Sequence, residues 1–300
     1  MRITTLIILT LTLCILNSGC NSEPSRDAIF YYNRGLAYDD QGEWDKAIAD
    51  YNKAIELDPQ LAIAYNNRGL AYDDQGELDR AIADFTKAIE LDPQLAIAYN
   101  NRALAYDDQG EWDKAIADYN KAIELDPAYA VAYHNRGAVQ YQQGELDKAF
   151  ADFTKAISSD PQLAIAYNNR ALALTQQGEL DKAFADYNKA IELDPAYAVA
   201  YYNRGAVQYQ QGELDKAILD FTKAISSDPQ LRSAYNNRGV AYINQGELEK
   251  AIVDFTKAIE LDPANAKTYY IRGFVFEKIG DKESAEADYA KAKELGYERG

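Results

Sequence analysis

AIFYYNRGLAYDDQGEWDKAIADYNKAIELDPQL, residues 28–61, holds two helix signals separated by a break. Over 28–41, Ala28, Tyr31, Gly35 and Tyr38 recur at the spacing of one helical stripe. Gly42 ends that helix. Over 43–57, Trp44, Ala47, Ile48, Tyr51, Ala54 and Ile55 mark a second stripe. Asp58-Pro59 then reads as an N-cap followed by proline at the first position of a new helix. The stretch is an αα-hairpin with small residues where its helices cross.

The hairpin repeats. Pro59, Pro93, Pro127, Pro161, Pro195, Pro229 and Pro263 are 34 residues apart, as are the arginines from Arg34 to Arg272 and the glycines from Gly42 to Gly280. Units begin at 28, 62, 96, 130, 164, 198, 232 and 266, so the array runs over 28–300. A single hairpin cannot bury its apolar stripes, and the units must stack. The expected fold is all-α, an α-solenoid of antiparallel hairpins. Lys282, Glu286 and Lys293 replace apolar residues on the outer stripe of the last unit, as a solvated terminal cap requires. The first unit has no such polar cap.

This pattern resembles the tetratricopeptide repeat. Its bulky fourth, small eighth, alanine twentieth, aromatic twenty-fourth and proline thirty-second positions are met by Tyr31, Gly35, Ala47, Tyr51 and Pro59. Departures are local: Ala103 and Ala171 stand at the small position, and Gln140 and Gln208 take the usual tyrosine slot. The resemblance implies a right-handed superhelix whose first helices line an inner face that binds proteins or extended peptides. It implies neither catalysis nor a cofactor.

Composition agrees with a non-catalytic reading. The net charge of −17 opposes nucleic acid, whose phosphates require Lys and Arg. Cys14 and Cys20 are the only cysteines and His134 the only histidine, so a Cys/His metal site cannot be assembled. No glycine-rich phosphate loop or inserted polar cluster interrupts the repeats.

Before the array, Arg2 precedes an uncharged run from Ile3 to Leu16. As a helix it spans about 21 Å, short of a bilayer core of roughly 30 Å, and suits a signal peptide over 1–19. Ser18-Gly19-Cys20 resembles a bacterial lipobox, with Asn17 departing from the usual aliphatic residue. The expectation is a cell-envelope protein lipidated at Cys20, with 20–27 as the tether. Ordinary cleavage would instead give a secreted or periplasmic protein.

Four features within the array bear on ligands. Asn33, Asn67, Asn101, Asn135, Asn169, Asn203 and Asn237 form an amide row that Ile271 breaks. Stacked helices lie about 10 Å apart and an extended peptide rises about 3.3 Å per residue, so one amide per roughly three residues can pair with a bound backbone. Some superhelical members of the family carry such an asparagine ladder. The alternative is that the asparagine was retained because the repeats copied one another.

The first three units each carry −4, owing largely to the pairs Asp39-Asp40, Asp73-Asp74 and Asp107-Asp108. These sit at helix C-termini, where the macrodipole disfavours negative charge. They mark a basic ligand or a divalent cation, or only an acidic solvated face. Arg34 and its equivalents are read as structural, pairing with carboxylates of a neighbouring helix. His134 reads as a neutral variant at the groove edge. The alternative to an adaptor is a self-associating envelope scaffold, joined through the first unit's open end.

Overall fold

The computed structural model describes residues 25–297. The segment 1–19 expected as a signal peptide, with Cys14, and the expected lipidation site Cys20 lie outside the described residues. Ser25 opens the array as a side-chain cap, its Oγ accepting from the Ala28 N–H at 3.1 Å. The first hairpin is α1 (Arg26–Asp39) and α2 (Trp44–Leu57). It is followed by α3 (Ala62–Asp74), α4 (Leu78–Leu91), α5 (Ala96–Asp108), α6 (Trp112–Leu125) and α7 (Ala130–Gln142). The remaining helices are α8 (Leu146–Ser159), α9 (Ala164–Gln176), α10 (Leu180–Leu193), α11 (Ala198–Gln210) and α12 (Leu214–Ser227). The series closes with α13 (Arg232–Gln245), α14 (Leu248–Leu261), α15 (Ala266–Ile279) and α16 (Lys282–Glu294). Among the described residues there is no strand. The all-α solenoid class is thus the observed one.

The chain divides into two compact units, Met1–Gly144 and Glu145–Gly300, a boundary that falls inside the fourth hairpin. Each unit is a series of helices in which neighbours in sequence pack together. The core is built from small residues closed by one aromatic ring. In the first hairpin Ala47, Tyr51 and Ala54 of α2 are fully buried, and Tyr31, Leu36 and Tyr38 of α1 pack on them. A Cβ on Gly35 would stand 2.7 Å from the Tyr51 ring, so glycine there sets the close crossing of α1 and α2. Gly42 has a different task. Its φ of +71° lies in the left-handed region, and a Cβ there would meet nothing. The Gly42 N–H bonds the Asp39 carbonyl at 2.8 Å and the Glu43 N–H bonds that of Tyr38 at 2.9 Å, which closes the helix end.

The Asp-Pro pairs need a correction. Asp58-Pro59 does not cap α3, which begins at Ala62. Asp58 ends α2 in an extended conformation, φ −142° and ψ 91°, as a residue before proline prefers. Its carboxylate accepts from the Gln60 N–H at 3.0 Å, an Asx turn that carries the chain over to Leu61.

Lys282, Glu286 and Lys293 are all exposed, and Asp281 caps α16 by accepting from the Ser284 N–H at 3.1 Å. At the other end Phe30 is 57% exposed, whereas Ala64, Ala98 and Ala132 at the same repeat position are fully buried.

Candidate functional site

The amide row lies on the first helix of each hairpin, and most of it is already bonded within the protein. In the first unit Asn67 Nδ2 donates to Tyr32 Oη at 2.9 Å, Asn101 Nδ2 to Asn66 Oδ1 at 3.1 Å, and Asn135 Nδ2 to Asn100 Oδ1 at 3.2 Å. In the second, Asn203 Nδ2 donates to Asn168 Oδ1 at 3.0 Å and Asn237 Nδ2 to Tyr202 Oη at 3.1 Å. Each bond joins residues 35 apart, the sixth position of one hairpin to the fifth of the hairpin before it.

The oxygens are engaged too. Asn67 Oδ1 accepts from Asn66 at 2.9 Å, Asn101 Oδ1 from Asn100 at 3.2 Å, and Asn169 Oδ1 from Asn168 at 3.0 Å. The row is therefore an amide zipper that fixes the register between hairpins. An amide has two N–H groups and two acceptor lone pairs. One N–H and one lone pair of Asn67 or Asn101 are used in these bonds. Asn101 is buried at 7% exposure, Asn33 is exposed, and the other five are partly exposed.

Sequence reasoning identified the sixth position and missed the fifth. Asn66, Asn100 and Asn168 are at most 2% exposed and supply the zipper's amide acceptors, beside the hydroxyls of Tyr32 and Tyr202. A 34-residue period by itself places the sixth position of each unit 35 residues beyond the fifth of the last, and that was the available signal. His134 occupies this fifth position and is buried rather than at a groove edge. Its Nδ1 lies 3.0 Å from Asn135 Oδ1, and burial lowers its pKa while that contact raises it.

The arginines play the expected structural part. Arg68 and Arg102 each hold a carboxylate of their own second helix in a two-pronged pair, Asp84 and Asp118, at 2.7–2.8 Å. Arg204, Arg238 and Arg272 hold Asp220, Asp254 and Asp288 in the same way. The remaining Nη1 reaches back one hairpin, from Arg68 to Asn52 Oδ1 at 2.5 Å and from Arg238 to Thr222 Oγ1 at 2.9 Å. One side chain thus closes a hairpin and ties it to its neighbour.

The acidic pairs sit two turns beyond the zipper on the same helices. Asp39 follows Tyr32, and Asp40 follows Asn33, by seven residues, about 10.5 Å along the axis. Asp40, Asp74 and Asp108 are exposed, Asp39 and Asp107 half-buried, and Asp73 is buried. The Asp39 carboxyl is pushed up to about 6, chiefly by burial and then by the charges of Asp74 and Asp40. Asp107 is raised by burial and by Asp108, partly offset by a hydrogen bond from Trp112. Among the described residues no group of three His, Cys, Asp or Glu side chains is placed to hold a metal ion. No described helix is long and apolar enough to cross a membrane.

Comparison with known proteins agrees with this architecture. Sequence profiles described as TPR repeat match 35–76, 106–144 and 171–212. Profiles described as tetratricopeptide repeat match 62–95, 85–117, 130–163, 198–231, 233–265 and 266–295. No curated protein sequence matches the chain. Among solved structures, the APC/C hetero-tetramer Cut9-Hcn1 is similar with a TM-score of 0.70 at 17% identity, covering 80% of this chain and 48% of that one. The chain therefore spans about half the length of that relative. A tetratricopeptide repeat protein from Parabacteroides merdae ATCC 43184 gives a TM-score of 0.63 at 22% identity, covering 88% of this chain and 99% of that one. An IFIT1 monomeric mutant with Gppp-AAAA gives 0.63 at 16% identity, covering 90% of this chain and 72% of that one. At these identities the likeness is one of fold.

Proposed function

The chain belongs to the tetratricopeptide repeat family of protein-interaction scaffolds, and from that premise we propose that it is a lipid-anchored adaptor of a bacterial envelope. In this reading it holds an extended segment of a client protein along its first helices and carries out no chemistry. The observation that carries it is the amide zipper. Bonds between hairpins fix Asn67, Asn135, Asn203 and Asn237 in place and leave them partly exposed. A rigid amide with a spare donor and acceptor can bond a peptide backbone with little further loss of side-chain freedom. Cys20, at the end of the lipobox-like run, holds the array at the membrane in this reading.

The test is capture from envelope extract by the native protein and by a variant with Asn67, Asn135 and Asn169 changed to Ala. Both are compared at a temperature where circular dichroism shows full helicity, because the substitutions also cut zipper bonds. A client retained by the native protein and lost by the folded variant supports the adaptor reading; equal capture by both sinks it. Separately, Cys20→Ala should move the protein from the membrane to the soluble fraction.

Self-association is the second reading, and Phe30 favours it. A phenylalanine cannot enter the interior joint that Ala64 and Ala98 fill, so two copies would have to meet edge to edge through their first hairpins. Light scattering over a concentration series distinguishes a dimer from a monomer, and Phe30→Ala should abolish any dimer.

A further inference from the structure

Hairpins that follow one another meet at the fifth and sixth positions, as described, and again two turns later at the twelfth and thirteenth. In the second unit that later meeting is complementary: Asn244 Nδ2 donates to Tyr209 Oη at 2.7 Å, residues again 35 apart. The same two positions between the first and second hairpins are Asp39 and Asp74. The Asp74 charge raises the cost of ionising Asp39, and Asp40 adds to it. Like charges stand here where another joint of the same chain has a hydrogen bond, and a cation bound between them would offset their repulsion.

A second observation points to a ligand. Tyr51 is fully buried, and its hydroxyl has no hydrogen-bond partner. Asp39 Oδ1 is likewise buried without one. The Asp39 charge is the strongest acting on this hydroxyl, and in the last hairpin the equivalent Tyr289 Oη donates to Glu277 Oε2 at 2.7 Å. Glu277 stands at the repeat position of Asp39 and is one methylene longer. In the first hairpin, then, a hydroxyl aimed at the twelfth position meets a shorter acid, and both groups are left unpaired.

We propose that the joint between the first two hairpins binds a guanidinium group, that of an arginine in an extended basic segment, against Asp39, Asp40 and Asp74, with the Tyr51 hydroxyl behind Asp39. The proposal rests on the peptide-binding reading of the first helices and names the chemistry of the client. A planar group with five N–H donors can bond carboxylates of two hairpins at once, which a compact ammonium does less well. The carboxylates are not grouped as metal ligands.

The full-length protein is titrated by calorimetry with octa-arginine, octa-lysine and calcium chloride as probes. Asp39→Asn with Asp74→Asn is compared with Glu56→Gln with Glu90→Gln. The second pair removes the same charge from exposed residues that pair with Lys53 and Lys87. The first variant should weaken octa-arginine by about tenfold or more and the second by less than about twofold, as expected for charge-assisted bonds against screened surface charge. Tyr51→Phe should weaken it a few-fold, and serves alone if the double variant fails to fold.

Equal losses in the two double variants would reduce the effect to net charge and overturn the proposal. Octa-lysine bound as tightly and lost in the same variant would overturn the guanidinium assignment, and so would calcium binding abolished by Asp39→Asn. None of these outcomes depends on client capture by the amide variant, so the joint and the adaptor reading fail separately.

Discussion

The joint at Asp39 and Asp74 and the joint at Tyr209 and Asn244 use the same two repeat positions, one with like charges and one with a 2.7 Å hydrogen bond. The stacking geometry therefore does not dictate what stands at the twelfth and thirteenth positions. Stability is supplied elsewhere, by the arginine clip and the amide zipper, which recur in both regions. Positions freed from that duty can carry chemistry that the fold alone would select against. This is why the contrast between acidic and neutral joints bears on function, while the near-identity of the clips does not.

The sharpest way to break the comparison is to remove the clip from both regions. Arg102→Met and Arg238→Met each strand a buried carboxylate, Asp118 or Asp254, and should destabilise by about 3 kcal/mol in urea denaturation. If only one region responds, the clips are not the shared source of stability. The next test grafts acid into the neutral joint. Tyr209→Asp with Asn244→Asp should cost about 1–2 kcal/mol, for a lost hydrogen bond and a new repulsion. A neutral result would mean that the repulsion between Asp39 and Asp74 is equally without consequence.

Titration sharpens the contrast inside the first unit. Asp39 has its folded-state pKa raised to about 6 from an ordinary value near 4, so the folded state binds the extra proton. Its contribution is greatest below about pH 4 and is lost as pH rises through 6. His134 has the opposite sign: burial depresses its pKa, and stability falls as pH drops below its ordinary 6.5. Thermal melts between pH 4 and 7 should therefore tilt more steeply toward acid instability in Asp39→Asn, and less steeply in His134→Asn.

The smallest effect distinguishes two tyrosines. Tyr289→Phe loses the bond to Glu277 and should cost about 1 kcal/mol, whereas Tyr51→Phe loses an unpaired hydroxyl and should stay within about 0.5 kcal/mol. Phe85 and Phe221 already stand at that position.

Much of this was legible in the sequence. The 34-residue period gave the hairpins, the stacking and the row of asparagines, because helical stripes and breaks are local signals. The role of the arginines followed from their distance around the helix from the amide row. The Asp-Pro pair was misread because an Asx turn and an N-cap use the same residues. Only the path of Gln60 and Leu61 tells them apart. The zipper's acceptors, Asn66, Asn100 and Asn168, were missed because their partners lie in the neighbouring hairpin, and pairing across a joint depends on stacking register. The unpaired Tyr51 hydroxyl was beyond reach for the same reason, since one methylene separates Asp39 from the working pair of Tyr289 and Glu277.

The constant offset of 35 residues in the joint bonds has a consequence for how such a gene can change. An in-frame copy of one hairpin brings a donor for the unit before it and an acceptor for the unit after it. Among hairpins that keep the sixth-position asparagine, the array can lengthen or shorten by whole units and each new seam finds its zipper bond. A copied acidic hairpin also brings another like-charged joint, so duplication in this part of the gene multiplies sites as well as length.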